Sequence, residues 1–361
     1  MTSQLKPQES NQAEFVKPVS SVEIVATGMI TSVGGDVDQT LAAVNAGISA
    51  SKESDYYNKQ FNPIIMSLVP DDALPPLDEA LLESDKKLTL RQQRLLRIIT
   101  PAIQQATEKL QNKPVALMLG GPEKLPGRRS IISDNFLKQI AEQTKVTIDF
   151  ENSYVFPYGR ASGLYALEAA MIHLEQGKSE YVLVGAADTH LDQYLLETLD
   201  LKDRLLSEGI MDAFIPGEAA TFLLLKSSSS GSAVKIFPPG IAVEPGHLYS
   251  DQPYKGDGLA DSIREAISNA SANDIRTIFA SFNGESFHSK EWGVSAIRNQ
   301  KSFNENSQLM HPADCFGDIG AATGMTNVGL ASMGILAGVY RKPALVWASS
   351  EMEQRAAICM L

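Results

Sequence analysis

Only a few residues in this 361-residue chain have types that could do covalent or metal chemistry. Two are cysteines, Cys315 and Cys359. That is too few for a disulfide framework or a Cys-based zinc site, and it suits a reducing compartment. Cys315 is the one candidate nucleophile, but its segment, HPADCFGD, places no histidine at a spacing that would activate it. It reads as a small, buried loop residue, and Cys359, in a terminal apolar run, reads as core. His173, His190, His247, His288 and His311 include no i,i+4 pair and no H-E-x-x-H, so no metal site is expected. His173 falls on an apolar helix and reads as a core histidine, and His311, before Pro312, as a loop residue. Gly120-Gly121-Pro122 follows an apolar run, yet neither phosphate-cradling glycine pattern occurs, so it reads as a turn and no cofactor is expected. Arg128-Arg129 reads as a solvated surface pair.

The positioning elements follow from periodicity. Strand-like and helix-like segments alternate from Val22 onward. The pattern predicts strands at Val22–Thr27, Val115–Leu119, Tyr181–Ala186 and Ala219–Lys226. Helices are expected at Val37–Ala46, Leu90–Gln111, Ser133–Thr144 and Ser162–Gln176, the last apolar enough to be buried on most sides. Ser51–Ser84, with four prolines, reads as an irregular excursion. After the Ser-rich run 227–232 the alternation repeats. Strands are expected at Val234–Phe237, Thr277–Phe282, Leu345–Ser349 and Ala356–Met360, with helices at Gly258–Ala270, around Trp292–Asn299 and over Gly317–Tyr340. Two βα arrays joined by a hinge imply an α/β protein built by internal duplication. The expected organisation is a polar tail over 1–20, one half over 21–226, a linker over 227–232 and a second half over 233–361.

Charge bounds the partners. Lys and Arg total 31 against 43 Asp and Glu, a formal net charge of −12. Nucleic acid or an anionic membrane surface calls for clustered positive charge, so neither is expected. No apolar run approaches the about 20 residues that span a bilayer, and the first twenty residues lack a signal-peptide core; a cytoplasmic protein is expected.

Four segments, in order, resemble the β-ketoacyl synthase branch of the thiolase superfamily. They are TGMITSVGGDVDQTLAAVNAGIS (Thr27–Ser49), YGRASGLYALEAAMIHLEQGKSEYVLVGAAD (Tyr158–Asp188), DAFIPGEAATFLLL (Asp212–Leu225) and HPADCFGDIGAATG (His311–Gly324). The resemblance implies a thiolase fold: two duplicated βαβαβ halves packed as a five-layer αβαβα sandwich. In that family a cysteine at the N-terminus of the buried helix attacks an acyl thioester, two histidines assist decarboxylation, and backbone amides form an oxyanion hole.

This sequence departs from the pattern at each of those places. The nucleophile motif A-C-x-S/T-G aligns with Gly159-Arg160-Ala161-Ser162-Gly163, which puts Arg160 at the nucleophile position. A guanidinium stays protonated and cannot attack a thioester. The histidine of H-G-T-G-T aligns with Asn283, in Asn283-Gly284-Glu285, and that of the second histidine loop with Asp318. The C-terminal Gly-Phe-Gly-Gly loop is replaced by Ser349-Ser350-Glu351-Met352-Glu353-Gln354-Arg355. A cation facing carboxylates is a pairing an interior tolerates, so Arg160, Asn283, Glu285 and Asp318 are expected to form a polar plug in the former pocket, with no catalytic set intact.

The motifs Asn283-Gly284-Glu285 and His311–Asp318 are also similar to a bacterial group of degenerate ketosynthase-like proteins encoded beside type VI secretion adaptor and effector genes. That resemblance implies a non-catalytic, chaperone-like accessory factor in effector loading, whose partner is an adaptor or effector. The alternative is a β-ketoacyl-ACP synthase-like acyltransferase or decarboxylase with a rebuilt site, in which Arg160 holds a carboxylate or phosphate and Glu285 or Asp318 is the general base. The family resemblance further implies a homodimer, expected to pair through Tyr181–Gly185.

Overall fold

The computed structural model describes residues 21–83, 87–125, 130–132 and 135–361. The tail expected over 1–20 and the Arg128-Arg129 pair lie outside them. In chain order the first half holds β1 (Val22–Thr31), α1 (Val37–Asn45), β2 (Lys52–Tyr57), β3 (Pro63–Met66), α2 (Glu79–Leu82), α3 (Leu90–Thr107), β4 (Ala116–Gly120), α4 (Phe136–Thr144), β5 (Tyr154–Phe156), α5 (Ser162–Glu175), β6 (Val182–Thr189), α6 (Gln193–Leu201) and β7 (Glu218–Ser227). After it come β8 (Gly240–Val243), α7 (Asp257–Asn269), β9 (Ile275–Phe279), α8 (Ser286–Asn299), β10 (Phe303–Met310), α9 (Ala313–Phe316), α10 (Thr323–Leu336), β11 (Ala344–Ser349) and β12 (Gln354–Met360).

Two five-stranded sheets result, in the orders β1-β7-β6-β4-β5 and β10-β9-β11-β12-β8. The helices α5 and α10 lie between them, α5 touching β4, β6 and β12 and α10 touching β11 and β7. Their apolar composition is explained by this placement, because a helix sandwiched between two sheets has little polar face to show. Leu164, Leu167, Met325, Val328 and Leu330 are all sealed in this central core. On the outer face of the first sheet, α3 lays Leu95, Ile98, Ile99, Ala102 and Ile103 over β1 and β7. On the outer face of the second, α7 packs Leu259 and Ile263 against Trp347 and Cys359. The order is helix, sheet, helix, sheet, helix. This is the expected five-layer α/β sandwich.

Local signals set the helix starts. Thr89 and Gln92 form a reciprocal capping box before α3, while Asp36 and Asp192 cap α1 and α6 through their carboxylates. Helix α3 continues through Pro101.

Several expectations need correction. Val234–Phe237 is not a strand. Ile236 exchanges backbone hydrogen bonds with Val22 of β1, while Lys235 exchanges them with Leu361 and Phe237 N donates to the Cys359 carbonyl around a bridge to Met360 of β12, so this short segment ties the two sheets together. The edge strand β8 comes four residues later. Ser51–Ser84 is not wholly irregular: it carries the hairpin β2–β3 and the short α2. Gly317–Tyr340 is broken at its start, and the helix proper begins at Thr323 after a 3-10 turn over Gly320–Ala322. Strand β6 pairs in parallel with β4 but antiparallel with β7. With both its edges occupied, β6 has no free edge for the twofold pairing expected of Tyr181–Gly185; the sheet edge on that side is β5.

Candidate functional site

The site gathers at the carboxyl ends of β4, β6, β9 and β11, where an α/β sheet leaves room for function. Two short 3-10 turns, Gly159–Ala161 before α5 and Gly320–Ala322 before α10, meet there. Gly159 and Gly320 adopt φ of 63° and 52°, which a side chain would resist. A Cβ on Gly320 would also fall 2.1 Å from the Asp188 carboxylate.

The first turn places Arg160 at the positive end of α5. A cation there is opposed by the helix dipole, so it needs a counter-charge. Asp318 supplies it: its Oδ1 accepts from Arg160 Nε at 3.3 Å, and its Oδ2 accepts from Arg160 Nη2. Both residues are buried, at 3% and 2% exposure. Asp318 also accepts from Gly320 N at 2.9 Å and from Asn283 Nδ2 at 3.0 Å. Burial pushes the Asp318 carboxyl up, but the Arg160 charge outweighs it and holds the group well below the usual carboxylate range. Arg160 is likewise held charged: burial opposes it, and Asp318 and Glu351 overcome that penalty.

The four residues expected to converge form one chain of hydrogen bonds, from Arg160 to Asp318, from Asp318 to Asn283 and from Asn283 to Glu285. Glu285 reaches Asn283 Nδ2 at 2.8 Å, but its own cationic partner is Arg204, with Nε to Oε1 at 2.6 Å and Nη2 to Oε2 at 2.7 Å. Arg204, in the loop after α6, was not evident in the sequence reading, and nor was Glu351. Arg204 donates to both Glu351 oxygens, at 2.9 and 3.2 Å, and the Tyr249 hydroxyl donates to the same carboxylate at 2.6 Å. Burial raises Glu351, and Arg204 pulls it back down, to about 2. Arg160 Nη2 lies 3.8 Å from Glu351 Oε1, which links the two arginine clusters. Glu351 had one sequence signal: it sits in the acidic loop that replaces the glycine run. Arg204 had none beyond the need of Glu285 for a cation.

Around this network stand further polar groups, of which Glu123 is half-buried and the others buried. Asp188, at the end of β6, accepts from Arg91 Nη2 and from Ala321 N, each at 3.0 Å. His190 Nδ1 is 3.1 Å from the Gly217 carbonyl oxygen. His288, in the first turn of α8, is fully buried, and among the described residues neither ring nitrogen has a hydrogen-bond partner. Burial, then the Arg160 and Arg355 charges, push it well below its ordinary value, so it is neutral. Glu123, following β4, packs over Gly159 and, among the described residues, accepts from Met352 N at 3.3 Å. Its carboxyl is pushed up to about 8 by burial and by the neighbouring Glu351. A cavity of about 70 Å³ beside Arg160, lined among others by Glu123 and Glu351, has the volume of a few waters.

Cys315 and Cys359 are both buried, in α9 and β12, and neither lies in the cluster's hydrogen-bond network. Burial raises both thiols, Cys359 to about 12, so neither is an activated thiolate. His173 is buried, with Nε2 2.9 Å from Ser179 Oγ, and is a satisfied core histidine.

No protein-family model matches the chain, and no curated protein matches it in sequence. Solved structures do match it in shape. A ketosynthase (ApeO) in complex with its chain length factor (ApeC) from Xenorhabdus doucetiae aligns with a TM-score of 0.76 at 16% identity, covering 94% of this chain and 98% of that one. The ishigamide ketosynthase/chain length factor gives 0.73 at 15%, covering 94% and 98%. The ketosynthase from module 6 of the bacillaene synthase of Bacillus subtilis 168 gives 0.71 at 13%, covering 94% of this chain and 72% of that one. The fold is therefore the thiolase-like fold of ketosynthases.

Proposed function

We propose that this chain is a non-catalytic protein of ketosynthase fold that acts by binding other proteins. One observation carries the reading. At the N-terminal end of the central buried helix, where the family resemblance calls for a nucleophile, stands a guanidinium locked to Asp318. Arg160, Asp318, Asn283, Glu285, Arg204 and Glu351 act together as a plug. Their charges are largely paired inside the protein rather than offered to an acyl thioester. Loss of the nucleophile removes several orders of magnitude of rate by itself.

The partner proposed is an adaptor or effector of type VI secretion, with the chain as a cytoplasmic loading factor; the support is the resemblance of Asn283–Glu285 and His311–Asp318 to proteins encoded beside such genes. The same reading makes the chain a homodimer and places the boundary of its two halves at 227–232. The test is co-purification of the wild-type protein with the products of its neighbouring genes. A stoichiometric complex with an adaptor or effector is expected. Neighbours unrelated to secretion, with no complex formed, would overturn it.

A second reading is favoured by the similar structures that pair a ketosynthase with a chain length factor. In it this chain partners an active ketosynthase or performs rebuilt acyl-thioester chemistry. Malonyl- and acyl-carrier-protein turnover that disappears in Arg160→Ala would establish it.

A further inference from the structure

The cavity beside Arg160 carries an imbalance of charge. Three guanidiniums, those of Arg91, Arg160 and Arg204, stand in and behind its wall with five carboxyls, those of Glu123, Asp188, Glu285, Asp318 and Glu351. Four of the five have a guanidinium: Asp188 that of Arg91, Asp318 that of Arg160, Glu285 and Glu351 that of Arg204. Glu123 has no ion pair among the described residues and lines the cavity itself. Among the described residues this is a formal excess of two negative charges around a largely enclosed space, which draws either protons or a cation.

We propose that this cavity receives the primary ammonium end of a lysine side chain from a protein partner, with Glu123 as its counter-ion. The volume of about 70 Å³ fits an ammonium and its last methylenes, and it is far too small for a phosphopantetheine arm or an acyl chain. The raised carboxyl of Glu123 is consistent with this: a proton holds the place that a cation would take. The charged groups acting on Glu123 are Glu351, Arg160 and Arg355, and none of them bonds it. The sign of the cavity also disfavours an anionic ligand on Arg160, whose guanidinium is committed to Asp318. The inference rests on the binding-protein reading, because it assigns that partner's recognition to this site.

The experiment is calorimetric titration of the wild-type protein with n-butylammonium, in two buffers of different ionisation enthalpy. Binding should release close to one proton per site at pH 7 and much less at pH 9, since Glu123 gives up its proton to the incoming cation. Glu123→Gln should weaken binding at least tenfold, and butyrate should not bind. The amide of Gly-Lys-Gly should bind more tightly than butylammonium, as expected for a side chain presented by a protein. No binding at roughly 50 mM, equal binding by Glu123→Gln, or binding of butyrate instead would overturn the site. Butylammonium binding with no gain for the peptide would overturn the side-chain assignment. Thioester turnover would sink the binding-protein reading while leaving these titrations to judge the ammonium site separately.

Discussion

Breaking the Arg160–Asp318 pair should be among the most damaging single changes available to this protein. Both side chains are almost fully buried, so the modest 0–1 kcal/mol of an exposed pair does not apply. Asp318→Asn leaves a charged guanidinium whose next carboxylate is 3.8 Å away, at Glu351. Removing one partner of a buried pair costs about 3–5 kcal/mol, because the other charge stays buried without compensation. With an unfolding entropy of roughly 2.1 cal/mol/K per residue over 361 residues, that loss lowers Tm by about 4–7 °C. Arg160→Met should cost a comparable amount, since it strands Asp318. The double variant Arg160→Met with Asp318→Leu should recover much of the loss, because apolar groups of similar volume replace both charges. Differential scanning fluorimetry of the four proteins, followed by calorimetry, measures this. Additive losses of under about 1 kcal/mol for each single change would refute the coupling.

Three other outcomes follow. Glu123 has its folded value raised to about 8, so the native state holds a proton that the unfolded chain releases above about 4.5; stability should fall as pH rises from 5 to 8 and then level, and Glu123→Gln should flatten that slope in pH-dependent melting. Glu351 and Asp318 run the other way: with folded values depressed, their contribution is complete above the unfolded value and disappears as pH falls through the folded one, so the Asp318→Asn penalty measured at neutral pH should persist at pH 5. Both thiols should resist a thiol reagent in the native protein and react fully in denaturant, as befits buried, unactivated cysteines; rapid native labelling of Cys315 would reopen it as a nucleophile.

The layered fold was legible because its central elements are apolar on every side. The buried helix at 162–175 shows as an Ala- and Leu-rich segment, and the strand at 182–189 opens as a continuous apolar run. What was missed is helix α6 and several sheet edges. Strand β10, FNENSQLM, is an exposed sheet edge whose polar residues give no alternation, and β2, KESDYY, is half of a two-stranded hairpin on the surface. Lys235, Ile236 and Phe237 link the two sheets over three residues, too few for periodicity to register. In the site, Arg160, Asn283 and Asp318 were readable because each stands at a motif position with the wrong chemistry. Glu285 was readable too, but its partner was not. Arg204 comes from a loop some 80 residues before Glu285, and only the tertiary fold brings the two together.

The most direct measurement is turnover of malonyl- and acyl-carrier protein by the purified wild-type chain, set beside Arg160→Ala and Arg160→Cys. The expected result is no decarboxylation and no acyl transfer by the wild type or Arg160→Ala, with Arg160 serving structure alone. Wild-type turnover that Arg160→Ala abolishes would contradict it, and would make that arginine part of a working active site.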